Sequence, residues 1–119
     1  MAEAVRSVSD RDLEAVIERF AEYLAFERRS SPNTVSAYRR DLSGLVVFLR
    51  EKLGREPRLS DVTRLTLRGF LGSIAEALSP ASIARKLSSV RALYVFLGRT
   101  GEVRENPAAL LQSPKLSQR

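Results

Sequence analysis

The sequence predicts a small all-α domain: a compact bundle of four main helices followed by a short C-terminal helix. Apolar residues recur at helical spacing in four segments, and no segment alternates between apolar and polar residues as a strand would. Two of these segments begin with Ser-Pro, at Ser31-Pro32 and Ser79-Pro80. This pair is typical of a helix start, because serine caps the first turn and proline tolerates it. The 119 residues, 44% of them hydrophobic, are enough to bury one core.

The first two helices are predicted from their apolar stripes and their ends. A helix over about residues 10–28 follows a disordered tail at residues 1–8, with Ser9 as its cap. Its stripe consists of Leu13, Val16, Ile17, Phe20 and Leu24. A second helix is predicted over about residues 32–53, and Gly54 ends it. Its stripe consists of Val35, Tyr38, Leu42, Leu45, Val46 and Leu49.

The remaining elements are predicted from turn residues and two further stripes. Asp61-Val62-Thr63 indicates one short turn, and Thr66 is expected to cap a helix over about residues 67–78. The inward residues of that helix are Phe70, Leu71 and Ile74. A fourth helix is predicted over about residues 80–97, with a stripe of Ile83, Leu87, Val90, Tyr94 and Leu97. Asn106-Pro107 then favours the start of the short C-terminal helix.

The composition argues against several classes of function. The chain has neither histidine nor cysteine, so a zinc site, a disulfide framework and the commonest general base are missing. The sequence contains no glycine-rich phosphate loop, metal cluster or catalytic triad, and neither a cofactor nor a small-molecule substrate is predicted. Asp41 and Asp61 lie on different elements; we interpret Asp41 as a charge beside its arginine neighbours and Asp61 as a turn or cap residue. No apolar run would cross a membrane and no signal peptide is seen, so a cytoplasmic location is expected.

The charge is unevenly placed and indicates a polyanionic partner. The net charge is +6, but residues 1–29 hold five arginines against seven acidic residues. Residues 30–119 hold fifteen lysines or arginines against seven acidic residues. A basic domain favours nucleic acid. The basic residues are isolated on polar helix faces rather than densely clustered, which argues against a membrane surface.

The two Ser-Pro helices each carry small polar and cationic residues opposite their apolar stripes. The candidate DNA-binding residues on these faces are Asn33, Thr34, Ser36, Ala37, Arg39, Arg40, Ser82, Arg85, Lys86 and Ser89. Small side chains let a helix backbone approach the floor of the major groove. Arginine reaches base edges or phosphates, and hydroxyl groups suit phosphate oxygens. The alternative is that these residues form an ordinary solvated face of two capped helices.

Short sequence phrases follow one another in a fixed order along residues 10–116. They are Tyr23-Leu24 with Arg28, Ser31-Pro32-Asn33-Thr34 with Tyr38 and Asp41-Leu42, Asp61-Val62-Thr63 with Phe70-Leu71, the run from Ser82 to Arg91, and Glu105-Asn106-Pro107 with Ser113-Pro114-Lys115. Their order and spacing resemble the N-terminal core-binding domain of tyrosine recombinases, of the Xer or phage-integrase kind. The resemblance implies a SAM-like helical domain whose second and fourth helices lie in or across the major groove.

The resemblance also implies where the chemistry lies. In this family a separate C-terminal domain carries an arginine, a lysine, a His-x-x-Arg motif and the nucleophilic tyrosine. None of Tyr23, Tyr38 and Tyr94 lies in a matching motif, and the latter two lie on apolar stripes, so no catalytic activity is expected from this chain alone. We expect residues 9–112 to form the DNA-binding domain. Residues 113–119 would begin the linker to the catalytic domain, in a piece of a longer recombinase rather than a natural stand-alone fragment.

Two partners follow from this interpretation, and one rival function remains. The first partner is double-stranded DNA at a recombination half-site. The second is a neighbouring recombinase subunit, which an acidic strip on the first helix would contact; the strip consists of Glu14, Glu18 and Glu22. A strip that repels DNA is another interpretation of the same residues. Alternatively, Arg11 and Arg19 relieve the repulsion within the strip, which is then an ordinary solvated face. The rival function is a helical protein-interaction module with incidental basic charge, and salt-dependent duplex binding separates the two.

Overall fold

Four helices surround one apolar core in the computed structural model of the protein, which describes residues 11–112. The helices are α1 (Leu13–Phe26), α2 (Pro32–Leu53), α3 (Arg64–Ile74) and α4 (Pro80–Arg99), and a one-turn 3-10 helix spans Leu59–Asp61. The only extended pairing within the described residues is an isolated bridge between Asp12 and Arg58. The predicted all-α bundle of four main helices is therefore confirmed.

The starts of α2 and α4 share the same hydrogen bonds, as their common Ser-Pro pattern predicts. The Oγ of Ser31 accepts the N–H of Thr34 at 3.1 Å, and the Oγ of Ser79 accepts the N–H of Ser82 at 3.1 Å. Proline at the first helical position has no N–H for a cap to satisfy. At its other end α2 stops at Gly54, whose φ of 71° is the left-handed conformation that favours glycine. The predicted bounds of α2 are confirmed.

The structure corrects the predicted bounds of α1. The helix begins at Leu13, whose N–H donates to the carbonyl of Pro57 at 3.0 Å and so holds this end against the loop between α2 and α3. The predicted cap Ser9 and the tail at residues 1–8 lie outside the described residues. The helix also ends before the predicted residue 28, because Arg29 takes the left-handed conformation with φ 55°.

The structure also corrects α3, which begins and ends earlier than predicted. Thr63, not Thr66, is its cap: the Oγ1 of Thr63 accepts the N–H of Thr66 at 3.1 Å, and the Oγ1 of Thr66 accepts the N–H of Thr63 at 2.9 Å. This reciprocal pair is a capping box. After Ile74 the chain tightens, as the N–H of Ala75 donates to the carbonyl of Gly72 at 3.3 Å. Such three-residue bonds end the α-helix before residue 78.

The segment after α4 packs back onto the bundle in turns at residues 107–110 instead of the predicted short C-terminal helix. The Oδ1 of Asn106 accepts the N–H of Ala108 at 3.0 Å, a side-chain turn that competes with helix formation. Arg91 of α4 donates from Nε to the carbonyl of Ala108 at 3.0 Å and from Nη2 to the carbonyl of Leu111. Both receiving residues are buried, so Arg91 fixes this segment against α4.

The predicted apolar stripes of all four helices fill the core. Their members are buried except for three half-buried residues, which are Val35, Tyr38 and Ile74. Tyr38 packs edge-on against Phe20, with ring centroids 5.5 Å apart. Tyr94 is buried, and burial raises the pKa of its hydroxyl above the ordinary value, as predicted for a core tyrosine. Within residues 11–112, none of the helices has the length and apolar character needed to cross a membrane.

Candidate nucleic-acid interface

The N-terminal halves of α2 and α4 lie side by side, and this pair of helix starts forms the candidate interface. Between them is a notch with a volume of about 220 Å3. Its lining residues are Thr34, Ala37, Tyr38, Asp41, Arg85, Ser88 and Ser89. The structure therefore brings together candidates from both helices that are far apart in the sequence.

Asp41 joins the two helices from beneath this notch. Its carboxylate accepts a fork from Arg85, with Nε to Oδ2 at 3.1 Å and Nη2 to Oδ1 at 3.0 Å. It also accepts from the Nζ of Lys86 at 3.2 Å and the Oγ of Ser89 at 2.8 Å. The Asp41 side chain is only 1% exposed. Burial alone would raise its pKa, but the hydrogen bonds from these three residues outweigh burial and hold the pKa below its usual value, so the carboxylate is ionised.

The central place of Asp41 was missed by the sequence interpretation, which treated it as a charge beside the arginines of its own helix. Its cationic partners are instead Arg85 and Lys86 on α4. A local signal was available, since Asp41 lies three residues after Tyr38 and immediately before Leu42, both on the apolar stripe. A carboxylate at such an inward position needs a partner from another element.

The three α4 candidates around Asp41 differ in how much of each side chain reaches the surface. Arg85 is half-exposed, with 50% of its side chain accessible. Lys86 is 14% exposed and turned toward Asp41. Ser89 is 3% exposed, so the prediction that it lies on an outer face is wrong. The reason is that the carboxylate draws both side chains inward, which leaves Arg85 as the member of this cluster that faces solvent.

The other candidates divide into capping residues and free surface residues. Thr34 and Ser82 occupy equivalent positions in the capped first turns of α2 and α4. Three α2 candidates are exposed and appear in no side-chain hydrogen bond within the described part of the chain; they are Asn33, Ser36 and Arg40. Ala37 is half-buried in the wall of the notch.

Arg39 is turned away from the notch and toward α1. Its guanidinium binds the carboxylate of Glu18, and both side chains are about half exposed. Arg50, farther along α2, lies 3.5 Å from the carboxylate of Glu14. Glu18 is therefore paired with an α2 arginine, whereas Glu14 shares Arg50 with Glu56, which accepts the arginine fork at 2.8 and 2.9 Å. Arg19, one of the two arginines expected to relieve the strip, binds Glu102 after α4 instead.

A larger hollow continues from the notch and was not predicted. It shares Thr34 and Tyr38 with the notch and has a volume of about 380 Å3. Two exposed arginines border it, Arg28 from the end of α1 and Arg99 from the end of α4. Neither forms an ion pair within residues 11–112. Their place could not be inferred from the sequence, because the pattern within one helix does not record how the ends of α1 and α4 pack together.

The chain was compared with known protein families and with curated proteins. The family described as phage integrase, N-terminal SAM-like domain, matches residues 17–101. The chain is 38% identical over 103 residues to tyrosine recombinase XerC of Pelobacter propionicus. It is 42% identical over 106 residues to tyrosine recombinase XerC of Oceanobacillus iheyensis, and 41% identical over 108 residues to that of Mesorhizobium japonicum.

These matches cover most of this chain but a minor part of each relative. They span 87%, 88% and 87% of the chain, and 34%, 34% and 35% of the respective relatives. The chain therefore spans about a third of the length of the curated relatives it matches. No solved structure matches the chain.

Proposed function

The chain belongs to the family of phage integrase N-terminal SAM-like domains, and we propose on that basis that it is the DNA-binding module of a site-specific tyrosine recombinase. In this proposal residues 9–112 clamp duplex DNA at a recombination half-site, and a separate catalytic domain cuts and rejoins the strands. The observation that carries the proposal is the pairing of the α2 and α4 starts around one notch. Small residues and cations meet there on the surface that a major groove would receive.

Catalysis is not assigned to any tyrosine of this chain. Tyr94 is buried in the core, and Tyr38 and Tyr23 pack against Phe20. A nucleophilic tyrosine must reach a phosphate in the presence of an activating base or cation. The family resemblance assigns that role to the separate domain, so the proposed contribution of this chain is to bind and position DNA.

Three exposed arginines support DNA as the partner. Arg28 and Arg99 border the larger hollow and Arg40 lies on α2, and none of the three forms an ion pair within the described range. Such arginines can neutralise phosphates, which supplies most of the sequence-independent affinity for DNA. The capped first turns of α2 and α4 add hydroxyl groups that suit phosphate oxygens.

We expect the isolated chain to bind a mixed-sequence DNA duplex with a steep salt dependence. Each neutralised phosphate contributes about 0.9 to the slope of log affinity against log salt. Phosphate contacts from Arg28, Arg40 and Arg99 would give a slope near −2.7 on this basis. Fluorescence anisotropy of a labelled duplex, titrated from low to moderate salt, measures it. If no binding is detected at low salt, the rival function of a protein-interaction module with incidental charge is favoured.

The proposed face also predicts an order of effects among three exposed arginines. Replacing Arg40 or Arg85 with alanine is expected to weaken binding, whereas Arg104→Ala in the segment after α4 is expected to have little effect. Loss of a phosphate contact weakens binding to all sequences alike, and loss of a guanine contact costs roughly 1–3 kcal/mol and relaxes preference at one base pair. Affinities of the three variants for the same duplex test this order. A larger loss for Arg104→Ala than for the other two would place the interface elsewhere.

Contact with a neighbouring subunit through the acidic strip stays a prediction. Glu18 and Glu14 lie beside Arg39 and Arg50 of α2, so the strip carries less net charge than its sequence indicates. Glu22 remains exposed near the other end of α1. A cationic partner would have to compete with the α2 arginines for the first two glutamates, which makes Glu22 the most available of the three.

A further inference from the structure

We propose that Asp41 and Arg85 form a guanine-reading pair, in which Asp41 is the positioning residue and Arg85 contacts the base. The proposal rests on the proposed function, since it requires duplex DNA at the face formed by α2 and α4. It goes further in naming the base that is read and the residue that orients the reader. The ligand is the major-groove edge of a guanine, with its O6 and N7 acceptors.

The fork between the two side chains leaves one edge of the guanidinium free. Asp41 takes the N–H groups of Nε and Nη2 of Arg85, at 3.1 and 3.0 Å. The carboxylate is 1% exposed and the arginine side chain is 50% exposed, so the edge bound to Asp41 lies against a buried group while half of the arginine side chain is accessible from solvent. The N–H groups on Nη1 and on the outer side of Nη2 make up the adjoining edge of the guanidinium, and no hydrogen bond from it is found within residues 11–112. They are the two donors that make a bidentate contact with O6 and N7.

Orientation matters for reading a base more than for binding a phosphate. A phosphate accepts hydrogen bonds from many directions, so an unconstrained arginine serves equally well there. A guanine edge offers two acceptors in one plane, and the guanidinium must lie in that plane to satisfy both. An arginine already held by a buried carboxylate loses less conformational freedom on binding. Asp41 therefore suits Arg85 to base readout.

The net charge of Asp41 and its two cationic partners also favours base contact over phosphate contact for Arg85. Asp41 is shared by Arg85 and Lys86, so the three side chains together carry one net positive charge. This compensation weakens the attraction of Arg85 for a phosphate. Arg40, in contrast, is exposed and in no ion pair within the described residues. We therefore assign phosphate contact to Arg40 and base contact to Arg85.

The surroundings of Arg85 leave room for a base edge to approach. The notch in front of the pair is lined by Ala37 and Thr34 from α2 and by Ser88 from α4, together with the half-buried Tyr38. The first three side chains are short, so on their side the groove floor can come close to the guanidinium. A bulky residue in place of Ala37 would keep the groove floor away from the Arg85 guanidinium.

The experiment is a selection from duplexes of randomised sequence, followed by affinity measurements on the selected duplex. The wild-type chain is expected to select a guanine, and to prefer it over adenine at that position by roughly 5- to 150-fold. Replacing the guanine with 7-deazaguanine removes the N7 acceptor and should cause a loss of similar size. Arg85→Lys is expected to weaken the preference, because a lysine ammonium can reach O6 and N7 but lacks the two parallel donors of the planar guanidinium and cannot be held in plane by a fork to Asp41. Arg40→Lys is the matched control and should keep it.

Asp41→Asn tests whether Asp41 orients Arg85 or only stabilises the fold, because the two roles predict different guanine preference and salt dependence in a folded variant. The amide oxygen can still accept from Ser89, while the negative charge that holds Arg85 is gone. We expect this variant to lose the guanine preference and to bind mixed-sequence duplex more tightly at low salt. The salt slope should steepen by about 0.9, as for one additional phosphate contact. Circular dichroism establishes that the variant is folded; if it is not, Arg85→Lys, at a half-exposed position, carries the test.

Each outcome separates this proposal from the one on which it rests. If the wild-type chain binds DNA without a guanine preference, or the preference is undiminished in Arg85→Lys, the guanine-reading pair is overturned and the DNA-binding function stands. If folded Asp41→Asn keeps both the preference and the salt slope, Asp41 has no positioning role. If no duplex binding occurs at low salt, the DNA-binding function itself is overturned.

Discussion

Replacing Asp41 with alanine is expected to lower the free energy of unfolding by about 3–5 kcal/mol. The substitution removes the acceptor for Lys86, whose side chain is only 14% exposed, and for the hydroxyl of Ser89, which is buried. An uncompensated charge and an unsatisfied donor would remain between α2 and α4. Arg85 is half-exposed and can turn into water, so it adds little to the cost. The total stability of a domain is about 5–15 kcal/mol, so the loss would be a large part of it.

Urea unfolding monitored by circular dichroism measures this loss. Asp61→Ala is a matched control, because Asp61 also accepts an arginine fork, from the half-exposed Arg55 at 2.9 Å, but it lies in the 3-10 helix before α3 and not between two packed helices. Its Oδ2 also accepts the N–H of Arg58 at 2.7 Å, which is a capping bond. The free energy of unfolding should therefore fall by about 0.5–2 kcal/mol, the usual cost of removing a capping residue. A loss below about 1 kcal/mol for Asp41→Ala, the value of an exposed ion pair, would contradict the prediction.

A double substitution tests whether the cost arises from the stranded charge. Combining Asp41→Ala with Lys86→Met removes the lysine ammonium that the single substitution leaves unpaired. Replacing buried ion pairs with apolar side chains of similar volume is often close to neutral. We therefore expect the double variant to recover part of the stability lost in Asp41→Ala. If no stability is recovered, the loss in Asp41→Ala arises from the unsatisfied Ser89 hydroxyl or from the cavity that the missing carboxylate leaves.

The elements that were predicted correctly are those whose signals are local. The bounds of α2 follow from Ser31 at one end and Gly54 at the other, and both act on backbone groups within one turn. The start of α3 was misplaced because Thr63 and Thr66 are both good caps, three residues apart. Their reciprocal hydrogen bonds make Thr63 the cap and Thr66 the third residue of the helix. Capping propensity alone does not show which of the two threonines begins the helix.

The candidate interface was predicted as two faces but not as one assembled cluster. A helical wheel shows which residues of α4 oppose its stripe, and on that basis Arg85 and Ser89 seemed equivalent. The carboxylate that separates them lies on α2, more than 40 residues earlier in the chain. Similarly, the wheel of α2 places Arg39 at the edge of the outer face, but it does not show that Arg39 pairs with Glu18 on α1. Packing between helices determines which side chains pair in this way, and the residue pattern within a single helix does not show it.

The second large effect is expected at Glu102, which ties the chain after α4 to α1. Its carboxylate accepts a fork from Arg19, with Nη1 to Oε1 at 2.8 Å and Nη2 to Oε2 at 2.5 Å. The Oγ1 of Thr100 also donates to it, at 2.6 Å. The Arg19 guanidinium lies 5.7 Å from the ring centroid of Phe96, so the pair sits against the aromatic side of the core. Removing the charge of Glu102 would release this connection.

Glu102→Gln is expected to destabilise the protein by about 1.5–3 kcal/mol at neutral pH, the range for hydrogen bonds to charged groups. The hydrogen bonds from Arg19 lower the pKa of Glu102 to about 2, although its partial burial opposes them. In the unfolded chain the carboxyl returns to its ordinary, higher pKa. A depressed pKa in the folded state means that the stabilisation is complete above the unfolded value. It is lost as the pH falls from about 5 toward 2.

The stability difference between the wild-type chain and Glu102→Gln should therefore shrink across this acidic range and nearly vanish at its lower end. Unfolding of both proteins by denaturant at a series of pH values measures the difference directly. Asp41 also has a lowered pKa, but it is present in both proteins and its contribution cancels. Glu105→Gln is the control, because Glu105 is exposed and in no ion pair within residues 11–112. A difference that stays constant from neutral to acidic pH would show that Glu102 contributes through packing and not through its charge.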